Sequence, residues 1–209
     1  STKSKDVLYN IDNKNIIGPS DDKILKTDEL GIPGEHNLQN FLAASTCSHL
    51  MGISQNQIVR TLKEFKGVEH RLEYVRTINE VEYINDSKAT NINSVIVAIN
   101  TYDQPIILIL GGLNKGANFR LLLPHIKSSH VRDIVSYGDA GGQINTALGD
   151  AVRSVQVTDL SSAVKKAQLM AAPGDIVLLS PGCASYDEFS NFEERGNHFK
   201  SIIKNIAIS

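Results

Sequence analysis

An α/β fold with a mostly parallel, doubly wound sheet is the class this sequence predicts for residues 70–209, on three observations. Short apolar runs such as Ile106–Leu110 are continuous rather than alternating, so they belong to strands covered on both faces. These runs alternate with segments of helical period over short connections, the pattern of repeated strand–helix–strand crossovers. Loops of small and polar residues follow several of the runs, and in an open α/β sheet ligands gather beyond the carboxyl ends of the strands.

In chain order, residues 1–33 alternate short apolar stretches (Val7-Leu8-Tyr9, Ile16-Ile17) with the turn signals Gly18-Pro19 and Gly31-Ile32-Pro33-Gly34. They read as small strands at a domain edge. From Glu35 the period becomes helical: Leu38, Phe41, Leu42, Ser45 and His49 lead to Gly52. Ser54 then caps a second helix through Ile58, Leu62 and Phe65, ending at Gly67. Near His70 the regime changes. Leu72–Ile78 and Val81–Ile84 predict a hairpin turning at Asn79-Glu80, and a helix is expected from about Asn91. Strand Ile106–Leu110 ends in Gly111-Gly112, Phe119–Ile126 is helical, and strand Ile134–Tyr137 ends in Gly138-Asp139. Gln143–Leu148 is a helix, Val155–Val157 a strand and Leu160–Met170 a helix. Ile176–Leu179 is a strand ending in Ser180-Pro181-Gly182, and a last helix runs from about Asp187.

Composition narrows the function classes. With 41% hydrophobic and 21% charged residues and a formal charge of -2, disordered, collagen-like and membrane classes are excluded, and nucleic acid finds no basic footprint. No apolar run approaches the roughly 18 residues that span a bilayer, and the first residues lack a signal-peptide pattern. Cys47 and Cys183 stand in unrelated contexts, and the six histidines show no metal-ligand spacing. A reducing cytoplasm is the expected setting. The polar start Ser1–Lys5, without methionine, is expected to mark a fragment.

Three loops at strand ends carry the candidate chemistry: Asn85-Asp86-Ser87-Lys88-Ala89-Thr90-Asn91, Gly111-Gly112-Leu113-Asn114-Lys115-Gly116, and Ser180-Pro181-Gly182-Cys183-Ala184-Ser185-Tyr186-Asp187. Small residues permit close backbone approach, and amides at the following helix starts favour negative charge. Lys88 and Lys115 read either as phosphate or carboxylate ligands or as solvated loop lysines. Thr90 and Ser185 offer hydroxyls that serve equally as helix caps. Asp86 suits a ribose diol, or alternatively braces a turn. Cys183 has no histidine placed beside it and reads as a small buried residue. His36 and His70 read as structural. No Gly-x-Gly-x-x-Gly follows the first strand, and no Walker A pattern occurs in the sequence.

Three segments together resemble the Mur ligase family, and within it the branch that adds D-glutamate. They are Gly34-Glu35-His36-Asn37-Leu38-Gln39-Asn40; His70-Arg71 with Asn85–Asn91; and Leu179–Gly196, which differs from the Asp-Asn-Pro-Arg segment of the ligases that add the third residue. Their order and separations fit across nearly the whole chain. The resemblance implies a Rossmann-like C-terminal domain at residues 70–209, preceded at residues 1–69 by the tail of a central ATP-binding domain.

It also implies roles. Asn37 and Asn40 would lie near adenine, Arg71 and Asp86 against base or ribose, and Lys88 beside the ATP γ-phosphate and acyl phosphate as the catalytic cation. Thr90, Lys115, Ser185 and Phe192 would line the D-glutamate pocket, with Tyr186 at a position where some relatives carry an aliphatic residue. The implied reaction joins D-glutamate to UDP-N-acetylmuramoyl-L-alanine with ATP and Mg2+, in a monomeric cytoplasmic enzyme that binds neither nucleic acid nor membrane. The P-loop and magnesium ligands are not among these residues, so the 209-residue chain alone is expected to be inactive. The alternatives are a folylpolyglutamate-type or other Mur ligase, a non-catalytic module for an acidic metabolite, and a nicotinamide-cofactor domain, which the missing glycine fingerprint disfavours.

Overall fold

A computed structural model describes residues 8–32 and 35–207, without the side chains of Glu35 and His36; Val7 and the Pro33-Gly34 turn signal lie outside the described residues. The chain divides into two compact units, Ser1–Gly67 and Val68–Ser209.

In the first unit, β1 (Asn10–Asp12), β2 (Asn15–Ile17) and β3 (Lys23–Lys26) form an antiparallel sheet in the order β1-β2-β3. Asn13 and Lys14 join the first pair with φ of 48° and 62°, the left-handed pair that matches a hairpin's twist. Two helices follow, α1 (Glu35–Leu50) and α2 (Gln55–Glu64). At the start of α2, Gln57 Oε1 accepts from Ser54 N (3.3 Å) and Ser54 Oγ (2.7 Å). Tyr9, Ile16, Leu25, Phe41, Ile58 and Leu62 make the core. The strand expected at Val7–Tyr9 is found instead at Asn10–Asp12, because Tyr9 plugs the core while the turn at Asn13-Lys14 sets the pairing. Nothing in the sequence flagged β3, whose short apolar pair Ile24-Leu25 lies between lysines.

The second unit opens with the expected hairpin, β4 (Glu73–Ile78) and β5 (Val81–Asn85), turning through Asn79 and Glu80 at φ of 50° and 61°. Then come α3 (Ile92–Ile99), β6 (Ile106–Gly111), a 3-10 turn (Phe119–Leu122) running into α4 (Leu123–Ser128), and β7 (Val131–Tyr137). α5 (Gly141–Leu148), β8 (Arg153–Gln156), α6 (Leu160–Met170), β9 (Ile176–Gly182) and α7 (Phe192–Lys204) complete it. The six strands lie in the order β4-β5-β9-β6-β7-β8, and every pair except β4 with β5 is parallel. The doubly wound, mostly parallel α/β class read from the sequence is the fold observed.

Alternation along the strands sorts the core into two layers. Leu108, Leu110, Ile134 and Leu178 pack under α3, α4 and α5 through Val95, Ile99, Ile126 and Ile144. Ile107, Ile109, Val135, Val177 and Leu179 meet Leu160, Val164, Phe199 and Ile203 of α6 and α7. Because both faces are covered, these strands read as unbroken apolar runs. The crossover through α3 carries β5 to β6 over one vacant place, and β9 returns into it. The winding therefore reverses beside β9, and the carboxyl ends of β5, β9 and β6 lie side by side at the switch point.

Boundaries differ from expectation at several elements, among them β8, which is Arg153–Gln156 rather than Val155–Val157, and α5, which starts at Gly141 rather than Gln143; three others have a clear physical reason. The segment Phe119–Ile126 is a tight turn followed by a short helix, with Pro124 in the first turn of α4, where no amide donor is needed. β7 begins three residues before Ile134, since Arg132 and Asp133 disguise its start; the Asp133 carboxylate is buried but paired with Arg132 (2.9 Å) and Arg153. The last helix begins at Phe192 rather than Asp187. Asn191 caps it by accepting from Glu194 N (2.7 Å), and Ser185–Phe189 is a separate turn.

Candidate active site

The three loops singled out in the sequence follow β5, β6 and β9, the three neighbouring strands at the switch point. Backbone bonds stitch them together. Gly182 N donates to Ala89 O (2.8 Å), and Leu113 and Ala184 exchange N–H···O bonds of 2.9 and 3.1 Å. Gly112 sits at φ 116°, where a Cβ would lie 2.3 Å from Ala184 O, so only glycine lets the loops approach this closely.

Beneath them lies Arg195, fully buried in α7 and unremarked in the sequence. Its Nε donates to Ser87 Oγ (2.9 Å), Nη2 to Ser87 O (2.8 Å) and Nη1 to Cys183 O (3.1 Å), joining the β5 loop to the β9 loop. Ser87 Oγ in turn donates to Phe192 O (2.8 Å). A signal was present: Phe192, Arg195, Phe199 and Ile203 recur at helical spacing, so the arginine occupies a core position and must find acceptors there.

The structure brings only some of the expected residues together. Thr90 and Lys115, both exposed, line one cleft of about 460 Å3 together with Gly116, Asn118 and the first residues of α3. Asn91, not Thr90, caps α3 by accepting from Ser94 N (3.0 Å), which leaves the Thr90 hydroxyl to the cleft. Lys115 Nζ lies 4.5 Å from the centre of the Tyr186 ring, and Lys88 Nζ lies 5.7 Å from that of Phe192. Each candidate cation thus leans on an aromatic from the β9 loop or α7.

Ser185 is buried and caps no helix; its carbonyl accepts from Glu188 N (3.2 Å) and Phe189 N (2.8 Å) within the turn. Arg71 is exposed at the domain's entry. Asn37 and Asn40 stand three residues apart on α1 in the first unit, the former buried and the latter exposed. His70 is buried, its Nδ1 3.0 Å from Asn85 Nδ2, and its carbonyl accepts from Lys88 N (3.0 Å), so it anchors the loop that carries Lys88. Burial lowers its pKa, as fits a structural histidine. Burial pushes the Cys183 thiol up to about 12, which removes it as a nucleophile at neutral pH.

Asp86 is the most perturbed acid. It is 4% exposed; Oδ1 accepts from Leu72 N (3.2 Å) and Oδ2 from Ser180 Oγ (2.8 Å). Burial outweighs these two donors and raises its pKa from 3.8 to about 7. A ribose hydroxyl would have to join these bonds rather than replace them. Between those two pKa values the folded chain holds one proton more than the unfolded chain. Stability contributed by the neutral acid is therefore complete below about pH 4 and declines as pH rises toward 7, by at most about 1.4 kcal/mol per pH unit. In Asp86→Asn the amide keeps the Leu72 bond, donates to Ser180 Oγ and does not titrate. Urea midpoints of the two proteins should therefore diverge in favour of the asparagine form between pH 5 and 7.5; a constant difference would show that the carboxyl does not titrate there.

The fold and its crevice define a doubly wound α/β domain that offers two cations and a helix start to an anionic ligand at its switch point. Residues 70–183 match the family described as Mur ligase, glutamate ligase domain, and the chain belongs to the Mur ligase family. Over 182 residues it is 46% identical to UDP-N-acetylmuramoylalanine–D-glutamate ligase of Pelotomaculum thermopropionicum, covering 86% of this chain and 40% of that protein. Over 200 residues it is 44% identical to the Clostridioides difficile protein of the same name, covering 94% and 44%. The chain thus spans about two fifths of the length of these relatives. Among solved structures, UDP-N-acetylmuramate–alanine ligase of Thermotoga maritima superposes with a TM-score of 0.65 at 16% identity, over 90% of this chain and 42% of that one. Folylpolyglutamate synthase of the same organism gives 0.61 at 16%, over 93% and 44%. At such identities these two share the fold alone. The family read from the sequence motifs is borne out, and both of these sequence relatives carry the D-glutamate ligase name.

Proposed function

We propose that this chain is the part of a D-glutamate-adding ligase that presents the amino acid and closes over ATP. The supporting observation is the cleft in which Thr90, Lys115 and the start of α3 converge beside the Lys88 loop. D-Glutamate carries two carboxylates and needs a cation at one end and N–H or O–H donors at the other, roles for which Lys115, Thr90 and the start of α3 are suited. In the proposed reaction ATP phosphorylates the alanyl carboxylate of UDP-N-acetylmuramoyl-L-alanine, giving an acyl phosphate and ADP. The D-glutamate amine then attacks the acyl carbon, the amide forms and phosphate leaves. Lys88 faces the transferring phosphoryl group, Lys115 and Thr90 hold the amino acid, and Phe192 and Ser185 shape the pocket. Arg71 and Asp86 serve the nucleotide. The first unit, residues 1–67, is read as the tail of a central ATP-binding domain.

Catalysis on this reading comes from positioning and charge neutralisation. The Mg2+ that accompanies ATP does not suit the described residues. Their one mixed His/Glu group, Glu69, His70 and Glu73, already has Lys200 on both carboxylates. We assign its ligands, like the phosphate-binding loop, to other parts of the ligase, so that this chain alone releases no phosphate. A monomeric cytoplasmic enzyme is the setting proposed; no helix among the described residues is long and apolar enough to cross a membrane.

The deciding assay uses the complete ligase with ATP, UDP-N-acetylmuramoyl-L-alanine and either glutamate enantiomer. Phosphate release should require the D form; equal turnover with L-glutamate, or release without any amino acid, would sink the assignment. In the same assay Lys115→Met should raise the D-glutamate KM about 10- to 100-fold, the worth of one charge-assisted carboxylate bond, with a small change in kcat.

A further inference from the structure

Tyr186 is 59% exposed, so its ring is not held there by core packing. Yet the Lys115 ammonium sits 4.5 Å from the ring centre. The Leu113–Ala184 bridge fixes the backbone two residues before each partner, so the pair stands on a rigid base. Lys115 lines the cleft beside Thr90, and the Tyr186 ring lies against its ammonium. A lysine on a loop has four rotatable side-chain bonds to immobilise before it can meet a carboxylate, and ordering such a chain costs affinity. A ring face that holds the ammonium without consuming its N–H donors removes part of that cost.

We propose that Tyr186 is a positioning residue for Lys115. It sets the affinity for the amino-acid carboxylate through the lysine. This rests on the reading of the cleft as the D-glutamate site, and the test separates the two.

The complete ligase is assayed for KM and kcat with D-glutamate in four forms: Tyr186→Leu, Tyr186→Phe, Lys115→Met and the Leu/Met double variant. Tyr186→Leu should raise the D-glutamate KM about two- to five-fold, the range of an exposed cation–π pair, while kcat and the KM for ATP stay within error. Tyr186→Phe keeps the ring face and should restore a KM near that of the parent. In the double variant the leucine should add nothing to the effect of Lys115→Met, because no ammonium remains to be positioned. Independent, multiplying effects, or a normal KM in Tyr186→Leu beside a raised one in Lys115→Met, would overturn the positioning role and leave the site intact. A normal KM in Lys115→Met would remove the site reading and this proposal together. A loss in Tyr186→Leu that appears in kcat, or that phenylalanine fails to repair, would also overturn it, since that outcome marks a structural or hydroxyl-mediated role.

Discussion

Arg195→Met is expected to destabilise the second unit by about 2–4 kcal/mol, the largest stability loss of any single side chain at the crevice. Methionine fills similar space but donates nothing. The change leaves Ser87 O and Cys183 O buried without the donors at 2.8 and 3.1 Å that they have now. Each orphaned carbonyl costs roughly 1–3 kcal/mol. Removing a buried guanidinium also relieves its desolvation, which offsets part of that loss. Arg195→Lys should fare no better. An ammonium on a flexible stem cannot meet three acceptors arranged for a planar fork, and it keeps the cost of the buried charge. Urea unfolding of both variants checks this, and a midpoint equal to the parent's for either one would show that the loops hold themselves. Amide exchange at Lys88 and Gly182 should quicken in the variants, since both amides belong to the loops that the guanidinium joins.

That residue also marks the limit of what the sequence disclosed. Strand β6 was plain because Ile106–Leu110 is apolar at every position, as a strand covered by helices on both sides must be. The hairpin at Asn79-Glu80 was plain because the two residues make a polar break between apolar runs and Asn79 tolerates a left-handed backbone. The start of β7 was hidden because a buried carboxylate is tolerable only with partners, and the partners of Asp133 include Arg153 from a neighbouring strand, which no local pattern reveals. The start of the last helix was misjudged because Asp187 and Glu188 look like first-turn acids. In the fold Asp187 accepts from Asp139 N (3.2 Å) and Glu188 from Leu160 N (3.1 Å), so both tie the β9 loop to other elements. At the crevice, residue types and strand-end positions were legible. The pairing of each lysine with an aromatic was not, for it depends on how the loops cross. Arg195 escaped notice because an arginine among Glu193, Glu194 and Asn197 reads as solvated until its spacing from Phe192 and Phe199 is counted.

Lys88→Ala should cut kcat of the complete ligase by about 10²- to 10³-fold while changing the D-glutamate KM little. Only an interaction that strengthens as charge develops in the transition state accelerates the chemical step, and removing one such preorganised group costs on that order. Lys88 has the attachment for this task. Its amide is held by the His70 carbonyl at 3.0 Å, the next residue's carbonyl accepts from Gly182 N at 2.8 Å, and its ammonium rests 5.7 Å from the Phe192 ring centre. The backbone is therefore fixed on both sides while the charged end stays exposed to an incoming phosphoryl group. Lys88→Arg should recover only part of the rate, because a planar guanidinium has different reach and donor directions from a point-like ammonium. Phosphate release at saturating D-glutamate measures this, and a kcat for Lys88→Ala within threefold of the parent would exclude the lysine from phosphoryl transfer. The contrast with Lys115 carries the mechanism. The two cations stand on loops after β5 and β6, flanking β9, yet the loss of one should appear in kcat and of the other in KM. If both variants lost the same parameter, the crevice would hold a single anion between two lysines rather than a phosphoryl group beside an amino acid.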